Sequence, residues 1–380
     1  MLSNLLMTPG PTYVNEEVRR ALSRAVVNPD LDDDFYEFYY KLTKQVAKLL
    51  KTRNDALILC GEGILGLEAA CASIIEPGDR VLCIDNGIFG RGFGDFVKMY
   101  GGEAIYFTGD YRKPIDTYEL EEFLKKDSNF KMATIVHCET PSGLLNPVKE
   151  ICPLLHKYNI LTVVDAVSSI AGEDLRVDDW NIDIALGGSQ KCLSAPPGLT
   201  IVSISEKAWD VMLNRKTPIT GFYCNLSLWK RWYQEKWFPY TQPVSDLFAL
   251  ECAVDNAVND DKKFKRHSQI GNAVREALEK GGFELYPLDG YSNTVTSFLT
   301  PEGLDEKKYR EHLADNYEVM IAGAFDVLDG KVLRIGHMGE NCYADKVYKA
   351  LKAMDSAFRD FGITPKESLH KTFDQIMNDR

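Results

Sequence analysis

ILTVVDAVSS (residues 160–169) and IDIALGGSQK (residues 182–191) decide the fold of this chain. Each segment begins with an apolar run of the length of one buried strand, and small or polar residues follow it. Similar runs occur at 80–84, 103–107, 133–137 and 199–204, with amphipathic helical patterns at 64–76, 91–101, 117–126 and 147–158. This alternation predicts an α/β fold with a mostly parallel sheet.

The length of 380 residues, 45% of them hydrophobic, predicts two domains. We place an N-terminal arm and a large domain at residues 1–258, and a small α+β domain at 259–380. Residues 207–250 are expected to be irregular and to lead into a helix at 243–258. The small domain is predicted to hold helices 262–280, 305–315 and 343–361 and strands 292–299 and 331–336. The polar tail after residue 362 is expected to be loosely attached.

Charge and cysteine content exclude several classes of function. The formal net charge of -12 argues against nucleic acid, whose phosphates require basic surface. The nine cysteines are odd in number and show no zinc-type spacing, which predicts free thiols in a reducing compartment and no metal. No apolar run approaches the ~20 residues of a membrane span, and the N-terminus does not resemble a signal peptide. We therefore expect a soluble cytoplasmic protein without a membrane partner.

Asp165 and Lys191 follow two consecutive predicted strands. Ligands of open α/β sheets bind beyond the carboxyl ends of the strands, so both side chains are candidates for one site. Alone, Asp165 is as well explained by a helix cap or an ion pair, and Lys191 by a solvated surface lysine. Together they suit a pyridoxal ring, which needs an amine for its imine and an anion beside its pyridine nitrogen. Thr140 ends a third strand and could bond the ring's phenolic edge, or simply form a turn before proline.

Five segments together resemble the class V, fold-type I, pyridoxal-dependent aminotransferases, in particular the alanine–glyoxylate and serine–pyruvate group. They are TPGP (8–11), ETPSG (139–143), VDAVSS (164–169), GGSQKCLSAPPGL (187–199) and RIGHMG (334–339). The resemblance spans residues 7 to about 360. It implies a large domain with a mostly parallel seven-stranded sheet and a small C-terminal domain. It also implies a homodimer or a dimer of dimers, with active sites at the subunit interface.

The resemblance assigns roles to individual residues. Lys191 matches the family's Schiff-base lysine and Asp165 matches the partner of the pyridine nitrogen. Phe89 falls where the family stacks an aromatic ring on the pyridine face, and Gln190 and Thr140 match positions around the ring. Arg334 matches the arginine that binds the substrate carboxylate, a task that suits its planar fork.

Two positions depart from the family's usual phosphate site. The family holds the cofactor's 5′-phosphate in a small-residue turn before a helix, where N–H groups and the helix dipole favour an anion. This chain has CGEGILGLE at 60–68, so Glu62 and Gly63 occupy that turn. A carboxylate there would repel the phosphate by on the order of several kcal/mol. The resemblance implies a second phosphate contact from the neighbouring subunit, made by Thr241. In the same family motif, Phe238 stands where the family has a tyrosine.

This combination resembles the pyridoxamine–pyruvate aminotransferase branch, in which the B6 vitamer carries no phosphate and is itself a substrate. The resemblance implies that Glu62 accepts a hydrogen bond from the 5′-hydroxyl of pyridoxamine. It also implies that Lys191 forms an imine with pyridoxal. After an amino acid such as L-alanine displaces it, Lys191 acts as general base and acid in the amino-group exchange that gives pyruvate. That branch has a tyrosine at the position of Phe89 and a second arginine within the stretch matching 323–327, so the keto acid is left open.

Two alternatives remain at this point. The first is an aminotransferase with permanently bound pyridoxal 5′-phosphate that acts on alanine or serine with glyoxylate or pyruvate, with Glu62 turned away to cap a helix. The second is a non-enzymatic relative that keeps the fold as a binding module. The presence of Lys191, Asp165 and Arg334 speaks against the second.

Overall fold

The computed structural model describes residues 5–379. Its strands are β1 (Leu5–Leu6), β2 (Asp55–Cys60), β3 (Arg80–Asp85), β4 (Glu103–Thr108), β5 (Met132–Val136), β6 (Cys138–Glu139), β7 (Leu144–Leu145), β8 (Leu161–Asp165), β9 (Ile184–Gly188), β10 (Leu199–Ile204), β11 (Thr296–Leu299), β12 (Val319–Met320) and β13 (Val332–Ile335). Seven of them form the central sheet, in the order β2-β10-β9-β8-β5-β3-β4. Only β10 runs antiparallel to its neighbours in that sheet, so the predicted mostly parallel seven-stranded α/β fold is confirmed.

The helices are α1 (Glu16–Ala21), α2 (Asp33–Leu49), α3 (Gly63–Ile74), α4 (Ile88–Met99), α5 (Thr117–Lys126), α6 (Val148–Lys157), α7 (Glu206–Leu213), α8 (Trp232–Glu235), α9 (Val244–Asn259), α10 (Lys263–Lys280), α11 (Glu306–Tyr317), α12 (Ala344–Asp360) and α13 (Leu369–Asn378). Helix α13 corrects the expectation of a loosely attached tail. It packs against α10 and α12, and its side chains Leu369 and Phe373 are buried. These two apolar residues, spaced four apart on one helical face, hold the tail in place.

Strand β9 ends in two glycines. Gly187 and Gly188, the small residues that follow its apolar run, continue the strand and pair with Ile201 and Thr200 of β10. The turn comes after them, at Ser189 and Gln190. A Cβ at Gly187 would lie 2.7 Å from a methyl carbon of Ile170, so close packing explains that glycine.

The described residues bury two hydrophobic cores. The first surrounds the central sheet and runs from Val18 to Val254, with Val295 and Met338 added. The second gathers residues between Ile270 and Ile376, together with Met7 from the N-terminal segment. The boundary that we proposed at residue 258 lies between Val254 and Ile270 and stays a prediction. Within residues 5–379, no helix is both long and apolar enough to cross a membrane.

Candidate active site

The carboxyl ends of β5, β8 and β9 open onto a cavity of about 230 Å³. Asp165 is the last residue of β8, and Lys191 follows β9 by three residues. The cavity is lined by Glu62, Gly63, Ile64, Leu67, Phe89, Cys138, Thr140, Asp165, Val167, Ser168, Gln190 and Lys191. Parallel neighbouring strands end at the same edge, so segments far apart in sequence meet here. Every residue that we expected around the ring lies in this cavity, apart from Thr241.

Lys191 reaches into the cavity with its amine held by the N-terminal segment. Nζ donates a hydrogen bond of 2.7 Å to the carbonyl oxygen of Pro9. A Cβ at Gly10 would come within 2.3 Å of Lys191 Cδ, so only glycine leaves room for this lysine. Burial, and next the charge of Arg334, lower the pKa of Lys191, while Asp165 opposes the shift. A lowered pKa makes the neutral amine, the form that attacks a carbonyl, more abundant at neutral pH.

Asp165 is a buried carboxylate that retains acceptor capacity. Its side chain is 5% exposed, and Oδ1 accepts a hydrogen bond of 2.8 Å from the N–H of Val167. Burial raises the pKa of Asp165 to about 6, against the opposing effects of that hydrogen bond and of Lys191. The nearby carboxylate of Glu62 adds to the rise. A protonated pyridine nitrogen beside Asp165 would compensate for the cost of burying its charge.

Glu62 occupies the N-terminus of α3 with its own carboxylate. Oε1 accepts the N–H of Ile64 at 3.1 Å, which makes Glu62 the side-chain cap of the helix. Oε2 accepts a hydrogen bond of 3.2 Å from Nε2 of Gln190. Glu62 therefore caps the helix and faces the cavity at the same time, whereas the sequence had suggested one or the other. An N–H group that could bind a phosphate is already bonded to this carboxylate.

Arg334 approaches the cavity from β13 of the second core. It is 8% exposed, and its Nε donates to the carbonyl oxygen of Gly323 while Nη1 donates to that of Thr140 at 3.4 Å. Burial and the charge of Arg310 lower the pKa of Arg334 to about 10. The guanidinium thus stays charged at neutral pH beside Thr140, whose hydroxyl is bonded to Ser168. A fixed guanidinium at this edge can bind a small carboxylate through two parallel hydrogen bonds.

Thr241 lies away from this cavity. Its hydroxyl is 3.4 Å from Oδ2 of Asp30, beside a separate surface cavity formed by residues 26–30 and 241–246. Phe238 is 3% exposed and stacks on Tyr36 with 4.7 Å between ring centroids. Phe238 is therefore part of the core in its own chain, and Thr241 is not brought to Lys191 within one chain.

Several residues of the site were not foreseen. Pro9 lies 182 positions from Lys191, and no local pattern indicates that its carbonyl contacts the amine. Val167 and Ser168 stand in the quoted VDAVSS segment, and Cys138 follows the last residue of β5 by two positions, so their positions after strands could have indicated them. Residues 5–379 contain no cluster of three or more histidine, cysteine or acidic side chains that could hold a metal ion. The expectation of a metal-free site stays a prediction.

Comparison with known proteins places this chain in a family. The family profile described as aminotransferase class V matches residues 11–280. An uncharacterised aminotransferase of Methanocaldococcus jannaschii is 38% identical over 371 residues, covering 97% of this chain and 96% of the relative.

Two solved structures are similar over nearly the whole chain. Ureidoglycine–glyoxylate aminotransferase from Bacillus subtilis matches with a TM-score of 0.95 and 29% identity, covering 99% of this chain and 98% of the other. Pyridoxamine–pyruvate aminotransferase from Mesorhizobium loti matches with a TM-score of 0.94 and 31% identity, covering 99% and 97%. The chain therefore belongs to the class V aminotransferases, a family whose chemistry depends on a pyridoxal ring.

Proposed function

We propose that this aminotransferase exchanges an amino group between pyridoxamine and pyruvate, giving pyridoxal and L-alanine, with the B6 vitamer as a substrate that carries no phosphate. The observation that carries this proposal is the carboxylate of Glu62 at the start of α3. It accepts the N–H of Ile64 at the point where the family ordinarily binds a phosphate. The overall fold does not decide the substrate, because the two solved relatives superpose equally well.

The polar atoms around Glu62 favour a hydroxyl over a phosphate. A phosphate offers only acceptors, so it needs donors, and a hydroxyl can donate. The side chains near the start of α3 present Oε1 and Oε2 of Glu62, both acceptors. Oε1 of Gln190 is a further acceptor, and it is buried without a hydrogen-bond partner among residues 5–379. A ligand hydroxyl could donate to one of these oxygens, whereas a phosphate would meet like charge.

The residues present fit a pyridoxal ring. When bound, the ring would supply an aldehyde for amine exchange and a pyridine that withdraws electrons. Asp165 would hold a proton on the pyridine nitrogen, because the buried carboxylate needs a cation beside it. Phe89 would cover one face of the ring, and Thr140 and Gln190 would bond its edge. Nζ of Lys191 would supply the reacting amine and could then take up and return the proton that leaves the α-carbon of the amino acid.

Arg334 would bind the carboxylate of pyruvate or L-alanine. Its guanidinium lies beside Thr140 and close enough to Lys191 to lower the pKa of that amine. A carboxylate held there would orient the small substrate toward Nζ. Segment 323–327 contributes no cation beside Arg334, and Phe325 contacts Phe89 edge-on at 5.9 Å between ring centroids. This arrangement suits a keto acid with one carboxylate and a small apolar substituent.

We further propose a homodimer, or a dimer of dimers, in the cytoplasm. Ile64 lines the cavity and is 41% exposed, and Phe222, Tyr223 and Trp237 are exposed by 54%, 53% and 44%. A second copy could cover such exposed apolar side chains, and the family resemblance implies that Thr241 of the partner would then contribute to the site. Light scattering on the purified protein measures the assembly state directly, and a monomer would contradict this part of the proposal.

Turnover assays test the proposed function. We expect the purified protein to convert pyridoxamine and pyruvate to pyridoxal and alanine without added pyridoxal 5′-phosphate, and Lys191→Ala to abolish the reaction. The alternative is an enzyme with permanently bound pyridoxal 5′-phosphate. Transamination of alanine or serine with glyoxylate that requires the phosphate form, with no turnover of pyridoxamine, would establish the alternative and refute the proposal.

A further inference from the structure

Glu139 is a buried carboxylate that none of the roles above uses. It belongs to β6, directly after the cavity residue Cys138, and its side chain is fully buried. The carboxylate does not line the cavity. It faces the first turn of α4, the helix that carries Phe89.

Both oxygens of Glu139 bind that turn. Oε1 accepts the N–H of Gly90 at 2.6 Å, and Oε2 accepts the N–H of Phe89 at 3.2 Å. The residue at the N-cap position of α4 is Gly87, which provides no side-chain cap. A carboxylate from another strand thus satisfies the unpaired N–H groups that a helix start normally leaves free.

Gly87 leaves the space that this carboxylate occupies. A Cβ at Gly87 would lie 2.2 Å from Cδ of Glu139. The φ angle of Gly87 is -179°, an extended conformation that any residue adopts, so backbone strain does not explain the glycine. The glycine is instead explained by the space that the Glu139 side chain occupies.

Among residues 5–379, the hydrogen-bond partners of the Glu139 carboxyl group are two backbone N–H groups, not cationic side chains. Burial raises the pKa of Glu139 to about 8, and the neighbouring carboxylates of Asp165 and Asp85 add to the rise. The two N–H groups oppose this effect. Burying this group is costly, and within the described residues both of its side-chain hydrogen bonds go to the first turn of α4. We take the fixing of that turn as the reason for its position.

We propose that Glu139 is a positioning residue, which holds Phe89 over the ring-binding cavity by fixing the first turn of α4 through the N–H groups of Phe89 and Gly90. This inference rests on the proposed binding of a pyridoxal ring in the cavity, with or without a phosphate. It predicts that Glu139 affects ring binding only while Phe89 is present.

A double-mutant cycle tests this dependence, since coupled residues give non-additive effects. The variants are Glu139→Gln, Phe89→Ala and the double substitution. The readouts are the dissociation constant for pyridoxal and the near-ultraviolet circular dichroism of the bound ring. We expect Glu139→Gln to weaken binding roughly five- to tenfold, the size of an aromatic stacking contact, and to reduce the dichroic signal. In the Phe89→Ala background the same substitution should change affinity less than twofold.

Two further variants separate positioning from general stability. Gly87→Ala displaces the carboxylate while leaving Glu139 and Phe89 in the sequence, so it should reproduce the effect of Glu139→Gln. It keeps the inference testable if Glu139→Gln folds poorly. Asp183→Asn is the matched control. Asp183 is also buried and accepts a backbone N–H, from Thr162 at 3.0 Å. It precedes β9, so it lies at the amino end of that strand, whereas the cavity lies at the carboxyl end. We expect it to lower the melting temperature without changing ring affinity.

The outcomes distinguish this inference from the proposed function. Equal losses of affinity in both Phe89 backgrounds, or unchanged affinity in Glu139→Gln and Gly87→Ala, would overturn the role of Glu139 while leaving ring binding intact. If the wild-type protein binds only pyridoxal 5′-phosphate, the cycle is measured with that ligand and the positioning role is judged by the same criterion. A wild-type protein that binds neither form would overturn both.

Discussion

Replacing Glu62 with glycine should convert the vitamer site toward a phosphate site. The substitution removes the carboxylate that accepts the N–H of Ile64 and the Nε2 hydrogen of Gln190. Both donors then become available to a ligand. They lie at the N-terminus of α3, where the helix dipole also favours an anion.

The size of the effect follows from the contact distance. Oε1 of Glu62 lies 3.1 Å from the nitrogen of Ile64, so a phosphate oxygen near that N–H would approach the carboxylate closely. Two unit charges 4 Å apart repel by about 4 kcal/mol near a protein surface and by about 1 kcal/mol in water. Since Glu62 is exposed in the single chain, we take an intermediate value. A repulsion of about 2 to 3 kcal/mol corresponds to roughly a 30- to 150-fold gain in affinity for pyridoxal 5′-phosphate.

Absorbance titration measures this gain, because the adduct of the ring with Lys191 absorbs at longer wavelength than the free ring. Glu62→Gly and Glu62→Gln should both gain affinity for pyridoxal 5′-phosphate and lose affinity for pyridoxal. Glu68→Gln is the control, since it removes the same charge from α3. Glu68 bonds the hydroxyl of Tyr100 and is not one of the cavity-lining residues.

If Glu62→Gly binds both ligands as the wild type does, the carboxylate does not control the choice between them. If Glu68→Gln gains as much affinity for pyridoxal 5′-phosphate as Glu62→Gly, the effect comes from net charge and not from the helix start.

Three other substitutions test the remaining parts of the site. Asp165→Asn should stabilise the ligand-free protein by about 3 kcal/mol at pH 8 and hardly at all below pH 4, as measured by urea unfolding. The sign follows because burial raises the pKa of Asp165 from 3.8 to about 6, so the cost of its charge grows as the pH rises through that range; equal effects at both pH values would contradict it. Gly10→Ala places a Cβ 2.3 Å from Cδ of Lys191, so the formation of the adduct with pyridoxal should slow at least tenfold. Stopped-flow absorbance measures this rate, and a rate within twofold of wild type would argue against the contact. Arg334→Lys keeps the charge but loses the planar fork, so the KM for pyruvate should rise roughly 10- to 100-fold while the affinity for pyridoxal stays unchanged. A change in pyridoxal affinity alone would show that Arg334 contacts the ring and not the substrate carboxylate.

The sheet and the meeting of Asp165 with Lys191 could be predicted because both depend on local patterns. An apolar run marks each strand, and parallel order brings the strand ends together. The predicted strands do not include β2, although its sequence DALILC is a comparable apolar run. The polar average composition of the tail conceals the apolar face of α13, on which Leu369 and Phe373 are buried.

The rest of the site depends on contacts between distant segments. The carbonyl of Pro9 accepts a hydrogen bond from Lys191 because the N-terminal segment lies beside that side chain, and a backbone group leaves no mark in the sequence. Glu139 stood in a quoted motif, but its role became visible only when α4 was placed against β6. The sequence treats a helix cap and a ligand contact as alternatives for Glu62, but one carboxylate caps α3 and faces the cavity.

The most direct test of the central claim compares how tightly the unmodified protein binds the two forms of the ring. Pyridoxal and pyridoxal 5′-phosphate are titrated separately into wild-type protein, and the adduct with Lys191 is followed by absorbance. The carboxylate of Glu62 at the start of α3 predicts tighter binding of pyridoxal and no stoichiometric phosphate form in the protein as purified. Pyridoxal 5′-phosphate that co-purifies at one per chain, or that binds more tightly than pyridoxal, would contradict the claim.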